Sequence, residues 1–152
     1  MKKLILVLSL ILLIIFLEKS GYIASTAPIQ TSPVFPTLVP KSELDSDKLW
    51  LLIQNWRMSQ NLQTYIKDQN LCDIAKIRLQ EIEIDFSHNG FLNMNLPFKE
   101  GAENLIVGYT SEEESLLMWL NSPSHLEDLK YPYTYSCVAT NDYYAVQVFA
   151  NF

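Results

Sequence analysis

The stretch Tyr135-Ser136-Cys137-Val138-Ala139-Thr140-Asn141-Asp142-Tyr143-Tyr144-Ala145-Val146-Gln147-Val148-Phe149-Ala150 decides the fold. Tyr135 to Thr140 and Tyr143 to Ala150 are rich in β-branched and aromatic residues, which suit a pleated, half-buried surface. Asn141-Asp142 between them is a candidate two-residue turn, because both residue types tolerate the backbone a tight hairpin needs. In that register Cys137 faces Val146, Ala139 faces Tyr144 and Tyr135 faces Val148, all on one apolar side. The opposite side carries Val138, Ala145 and Phe149, so both faces of the hairpin are expected to be covered.

Helical patterns upstream supply the cover. Ser42 followed by Asp45 resembles a capping box, and Leu49, Leu52, Ile53 and Trp56 then share one helical face. A second helix is expected over Asp68 to Asp85, with Leu71, Ile74, Ala75, Leu79 and Ile82 inside and Lys76, Gln80 and Glu83 outside. Ser87 to Lys99, punctuated by Asn89-Gly90 and Pro97, reads as loop. A third helix starts at Ser111 with Glu114 completing its box and stops before Pro123. The carboxylates of Glu112, Glu113 and Glu114 suit the positive end of its dipole and read as a solvated helix start. Ser124 and Glu127 form another box, placing a short helix from His125. Helices followed by paired strands argue an α+β domain, with helices packed on a small antiparallel sheet.

The N-terminal part has another character. Lys2 and Lys3 precede an apolar run from Leu4 to Leu17, broken only by Ser9. As a helix that run reaches about 21 Å, against about 30 Å of bilayer hydrocarbon. Residues 1–23 therefore read as a signal peptide or an uncleaved N-terminal membrane anchor. Pro28, Pro33, Pro36 and Pro40 among Ser and Thr make 24–42 an extended linker, and the folded domain is 43–152. Either fate of the leader puts that domain outside the cytoplasm, secreted or held at the cell membrane.

Composition narrows the classes further. The chain has 152 residues, 49% hydrophobic and 18% charged, which excludes an intrinsically disordered protein. Its net charge of −6 denies it the basic footprint of a nucleic-acid binder. From Lys41 onward 8 basic residues stand against 16 acidic ones, so the exported part does not seek anionic headgroups. Two cysteines cannot build a four-Cys zinc site. Cys72 lies beside Ala75 and Leu79 on the second helix, and Cys137 points to the same core side from the hairpin. Export favours oxidation, so a Cys72–Cys137 disulfide is expected; the alternative is two buried thiols acting as small hydrophobes.

His88 and His125, the chain's two histidines, lie in turn-rich or capped segments rather than in apolar stripes. At a helix N-terminus the dipole keeps an imidazole neutral, the form a metal needs. Two such imidazoles and one carboxylate, here Glu103, can hold Zn²⁺ or another divalent metal with a position open for water. The structural alternative makes both solvated or hydrogen-bonded loop histidines, with Glu103 bracing its loop. Trp50, Trp56 and Trp119 read as core. No G-x-S-x-G context for a serine nucleophile exists.

Five segments in order carry a resemblance: Leu71 to Ala75, Phe86 to Phe91, Ala102 to Leu105, Trp119-x-x-Ser122-Pro123-x-His125, and Tyr144 to Phe149. Together with Gln54-Asn55-Trp56-Arg57, they resemble the CAP superfamily of cysteine-rich secretory, antigen 5 and pathogenesis-related proteins, in its bacterial SCP-domain branch. The resemblance covers about 47–152. It implies an α-β-α sandwich and a cleft lined by two His and two acidic residues that binds a divalent metal in some members. His88, Glu103 and His125 match that set. The family's second Glu would fall at Ser122, and Ala102 stands where Gly is usual. The implied function is an extracytoplasmic binding module for an unidentified ligand or envelope component. The alternative is a metal-dependent hydrolase of extracellular peptides or polymers, with His88 and His125 as ligands and Glu103 as ligand or general base. A domain that only mediates association in the envelope is the third reading.

Overall fold

Residues 43–109 and 111–152 are described by the structure, a computed structural model. The apolar leader, the Pro-rich linker and the Ser42 cap lie outside the described residues. Among the described residues no helix is long and apolar enough to cross a membrane.

Helix α1 spans Ser46–Ser59, and Asp45 alone caps it, accepting from the N–H groups of Asp47 and Lys48 at 2.8 and 3.2 Å. Leu49 and Ile53 are buried on its inner face, with Leu52 and Trp56 packed beside them. Gln54 clamps the following turn, donating to Tyr65 O at 2.7 Å and accepting from Tyr65 N–H at 3.0 Å. Strand β1 (Ile66–Lys67) leads into helix α2 (Gln69–Ile82), which Asp68 caps. The expected stripe of α2 is found, with Ile74 and Leu79 at its margin and one addition, the fully buried Arg78.

The expected loop between Ser87 and Lys99 contains a short helix, α3 (Asn89–Asn93), and opens into a strand that the sequence reading missed, β2 (Glu100–Val107). Gly, Ala, Glu and Asn weaken its β signal. Helix α4 (Glu112–Asn121) starts as expected, Ser111 Oγ accepting from Glu114 N–H at 3.1 Å. Its Glu112 is not a solvated charge: it is 8% exposed, accepts from Asp45 N–H at 2.9 Å and pairs with Lys48 at 2.8 Å. Helix α5 (Pro123–Lys130) starts two residues before His125, with Ser122 at the cap position. Proline is suited to the first helical position because its missing N–H would be unpaired there anyway, so the Ser124–Glu127 box is not used.

Strands β3 (Tyr135–Thr140) and β4 (Tyr144–Asn151) form the hairpin. Its register differs from the expected one by two residues: Cys137 faces Val148, Ala139 faces Val146 and Tyr135 faces Ala150. The cause is a longer turn, in which Asn141 Oδ1 accepts from Tyr143 N–H and Tyr144 N–H at 2.9 and 2.8 Å. A shift of two keeps every side chain on its face, because strands repeat every second residue. The sheet order is β1-β3-β4-β2; β2 and β3 flank β4 antiparallel, and the short β1 runs parallel to β3. Helices α1, α4 and α5 cover one face over Ile106, Val138 and Phe149. Helix α2 covers the other over Leu105, Val146 and Val148. The Cys72–Cys137 disulfide forms, with Cα atoms 4.9 Å apart, and ties α2 to β3.

Candidate functional site

The site is built at the edge strand β2, whose alternation sends Glu103 to the α2 side and Asn104 to the α5 side. Arg78 meets Glu103 there. Both side chains are only 1% exposed, and Arg78 Nε donates to Glu103 Oε1 at 2.6 Å. The guanidinium also reaches Glu103 Oε2 at 3.4 Å, Ser87 O at 2.6 Å and, through Nη1, Glu81. Burial works against the Arg78 charge, but hydrogen bonds to Glu103 and Glu81 outweigh it and raise its pKa above the ordinary guanidinium value. Gly90 makes room for this cluster, since a Cβ there would overlap the Arg78 guanidinium.

His88 stands at the start of α3, and its Nδ1 lies 3.0 Å from Glu103 Oε2. A carboxylate on Nδ1 requires a proton there, so in the neutral ring Nε2 is the acceptor. The imidazole is half exposed, so Nε2 is the nitrogen left for a ligand. His125 sits in the first turn of α5, partly buried. Its pKa is pushed down, by burial first and by His88 in its protonated form second. Asp128, one helical turn further along α5, is half buried. Burial and Glu127 raise its pKa while the charge of His88 opposes them.

The structure therefore joins His88 to Glu103 directly, and ties His125 to the same strand through Asn104, which donates to its carbonyl. Ser122 is placed at the cap of α5, its Oγ 3.4 Å from Ser124 Oγ. Sequence reading missed Arg78, although an arginine inside an apolar stripe was a legible signal. It also missed Asn104, whose Nδ2 donates to His125 O at 3.1 Å, and Asp128, three residues after His125.

Metal binding in the form implied by the family does not fit this donor set. Glu103 already receives Arg78 on one oxygen and His88 on the other. Among the described residues no group of three or more His, Cys, Asp or Glu could hold a metal ion. What the arrangement offers is one imidazole held by a buried carboxylate and a second, on α5, whose burial disfavours its charge.

Comparison with solved structures defines the class. An extracellular SCP-domain protein from Bacillus anthracis str. Ames matches with a TM-score of 0.64 at 22% identity, over 70% of this chain and 40% of that one. A cysteine-rich secretory protein from Staphylococcus aureus subsp. aureus Mu50 matches with a TM-score of 0.62 at 19% identity, over 70% of this chain and 38% of that one. An outer surface protein from Borrelia burgdorferi gives 0.62 at 20% identity, over 73% of this chain and 98% of that one. The chain thus spans well under two thirds of the first two proteins and nearly all of the third. No protein-family model matches the chain, and no curated protein does. The chain shares its fold with these three bacterial proteins, an SCP-domain protein and a cysteine-rich secretory protein among them.

Proposed function

We propose that the chain is an extracytoplasmic binding module, secreted or tethered by its N-terminal segment, whose cleft around His88 and His125 contacts an envelope component. The observation that carries this reading is the locking of His88. Arg78 saturates the buried Glu103, Glu103 holds His88 Nδ1, and Nε2 is left for a hydrogen-bond donor on a ligand. A carboxylate held this way is a support for the imidazole rather than a general base, because freeing it would break a buried ion pair. Export is supported by the leader pattern and by the extracellular and outer-surface descriptions of the fold's neighbours.

The test is co-sedimentation of the full chain with purified peptidoglycan, in EDTA and without it. Binding that persists in EDTA and falls at least tenfold in folded His88→Ala and His125→Ala supports the module. Equal binding by wild type and both variants would overturn the role given to the cleft. A Zn²⁺ titration by calorimetry runs beside it. Stoichiometric binding lost in both variants would move the reading to a metal-dependent hydrolase of extracellular peptides or polymers.

A further inference from the structure

Two amide side chains face each other across the centre of the sheet. Asn104 on β2 and Gln147 on β4 are direct register partners and are fully buried. Their side chains stand on the same face, about 5 Å apart at Cβ. Each NH₂ group is spoken for, and in opposite directions. Asn104 Nδ2 donates to the backbone carbonyl of His125 at 3.1 Å, and Gln147 Nε2 donates to Ser136 Oγ at 3.0 Å. The two amide oxygens, Asn104 Oδ1 and Gln147 Oε1, have no donor among the described residues. Their surroundings are apolar: Ile106, Val138, Phe149 and Trp119 belong to the same layer of core.

Buried acceptors without donors are costly, and two of them in adjacent positions need two donor hydrogens at one place. A single water molecule supplies both, and enclosed water characteristically serves buried polar groups of this kind. We propose that Asn104 and Gln147 hold one internal water molecule between them, and that this polar strut positions His125. The chain of contacts runs from Ser136 on β3 through Gln147, the water and Asn104 to the carbonyl of His125. It ties the first turn of α5, which carries His125, to the middle of the sheet. Asn104 is thus a positioning residue that acts through the backbone of His125. The strut stands independently of what the cleft binds.

Water-to-protein cross-relaxation NMR on the full wild-type chain tests the site without any substitution. The expected result is a long-lived water signal at the side-chain NH₂ protons of both Asn104 and Gln147. Its absence would overturn the water. So would hydrogen-bond scalar coupling from Gln147 Nε2 to the Asn104 amide carbonyl, which would show Gln147 reversed and closing the gap itself. Gln147→Leu then tests the strut, because it spares the Asn104–His125 bond. Loss of the water signal together with displaced His125 ring resonances is expected. Unmoved His125 resonances in a folded Gln147→Leu chain would overturn the positioning role.

Discussion

Arg78 shows how much of a site can depend on one buried charge. Its guanidinium satisfies Glu103, Glu81 and the carbonyl of Ser87, and Glu103 in turn orients His88. Arg78→Met should therefore cost about 3–5 kcal/mol, because it leaves Glu103 buried without its counter-charge. The double variant Arg78→Met, Glu103→Leu should recover much of that loss, since two apolar groups remove the stranded charge rather than expose it. Urea denaturation of both chains checks this, and a double variant no more stable than the single one would refute it. His88 would lose its tautomer lock in the double variant, which removes the Glu103 carboxylate. The sequence displayed this residue openly. Arg78 sits among Leu71, Ala75 and Ile82 at helical spacing, and a charge in that stripe has to find a partner. What could not be read was the partner's identity, because Glu103 lies 25 residues away on a strand that composition concealed.

At the level of elements, the longer helices were legible, whereas short α3 and the connections were not. The apolar periodicity of α1, α2 and α4 survives into the structure because each buries one face against the sheet. Strand β2 was hidden because Gly101, Ala102, Glu103 and Asn104 serve close packing and buried hydrogen bonds and have little β propensity. The hairpin was legible as a hairpin, but its register depended on how many bonds Asn141 would accept, which composition does not state. Glu112 illustrates the same limit. Read locally it is one of three carboxylates at a helix start; in the fold it joins α4 to α1 by accepting from Asp45 N–H and Lys48. Glu112→Ala should destabilise the domain by about 1–2 kcal/mol, because the Asp45 N–H and Lys48 both lose a largely buried acceptor. Glu113→Ala, at an exposed position, should leave stability nearly unchanged. Thermal unfolding of the two chains side by side checks the contrast, and equal losses would show that Glu112 is only a helix-dipole charge.

The described residues form a sheet held between two helical layers that differ in the number of helices. Three helices cover one face, whereas α2 carries most of the other, so the Cys72–Cys137 bond reinforces the thinner side. It links positions separated by 65 residues and so closes α2, α3, β2, α4 and α5 into one loop. A loop that long restricts the unfolded chain by about 4 kcal/mol in the chain-entropy description. The native contacts around the bond do not depend on it in the same degree. Cys137 is 1% and Cys72 7% exposed, and reduced thiols in those places still pack as small hydrophobes. Reduction should therefore leave a folded domain that unfolds at lower denaturant. With an m-value of about 2 kcal/mol/M in urea, the midpoint should fall by about 2 M. Cys72→Ala, Cys137→Ala should reproduce the shift, and the His88 and His125 resonances should stay in place, since neither residue contacts the bond. A midpoint unchanged by reduction would mean that the unfolded chain already keeps α2 near the hairpin. Loss of the fold on reduction would mean that the α2 layer has no sufficient core of its own.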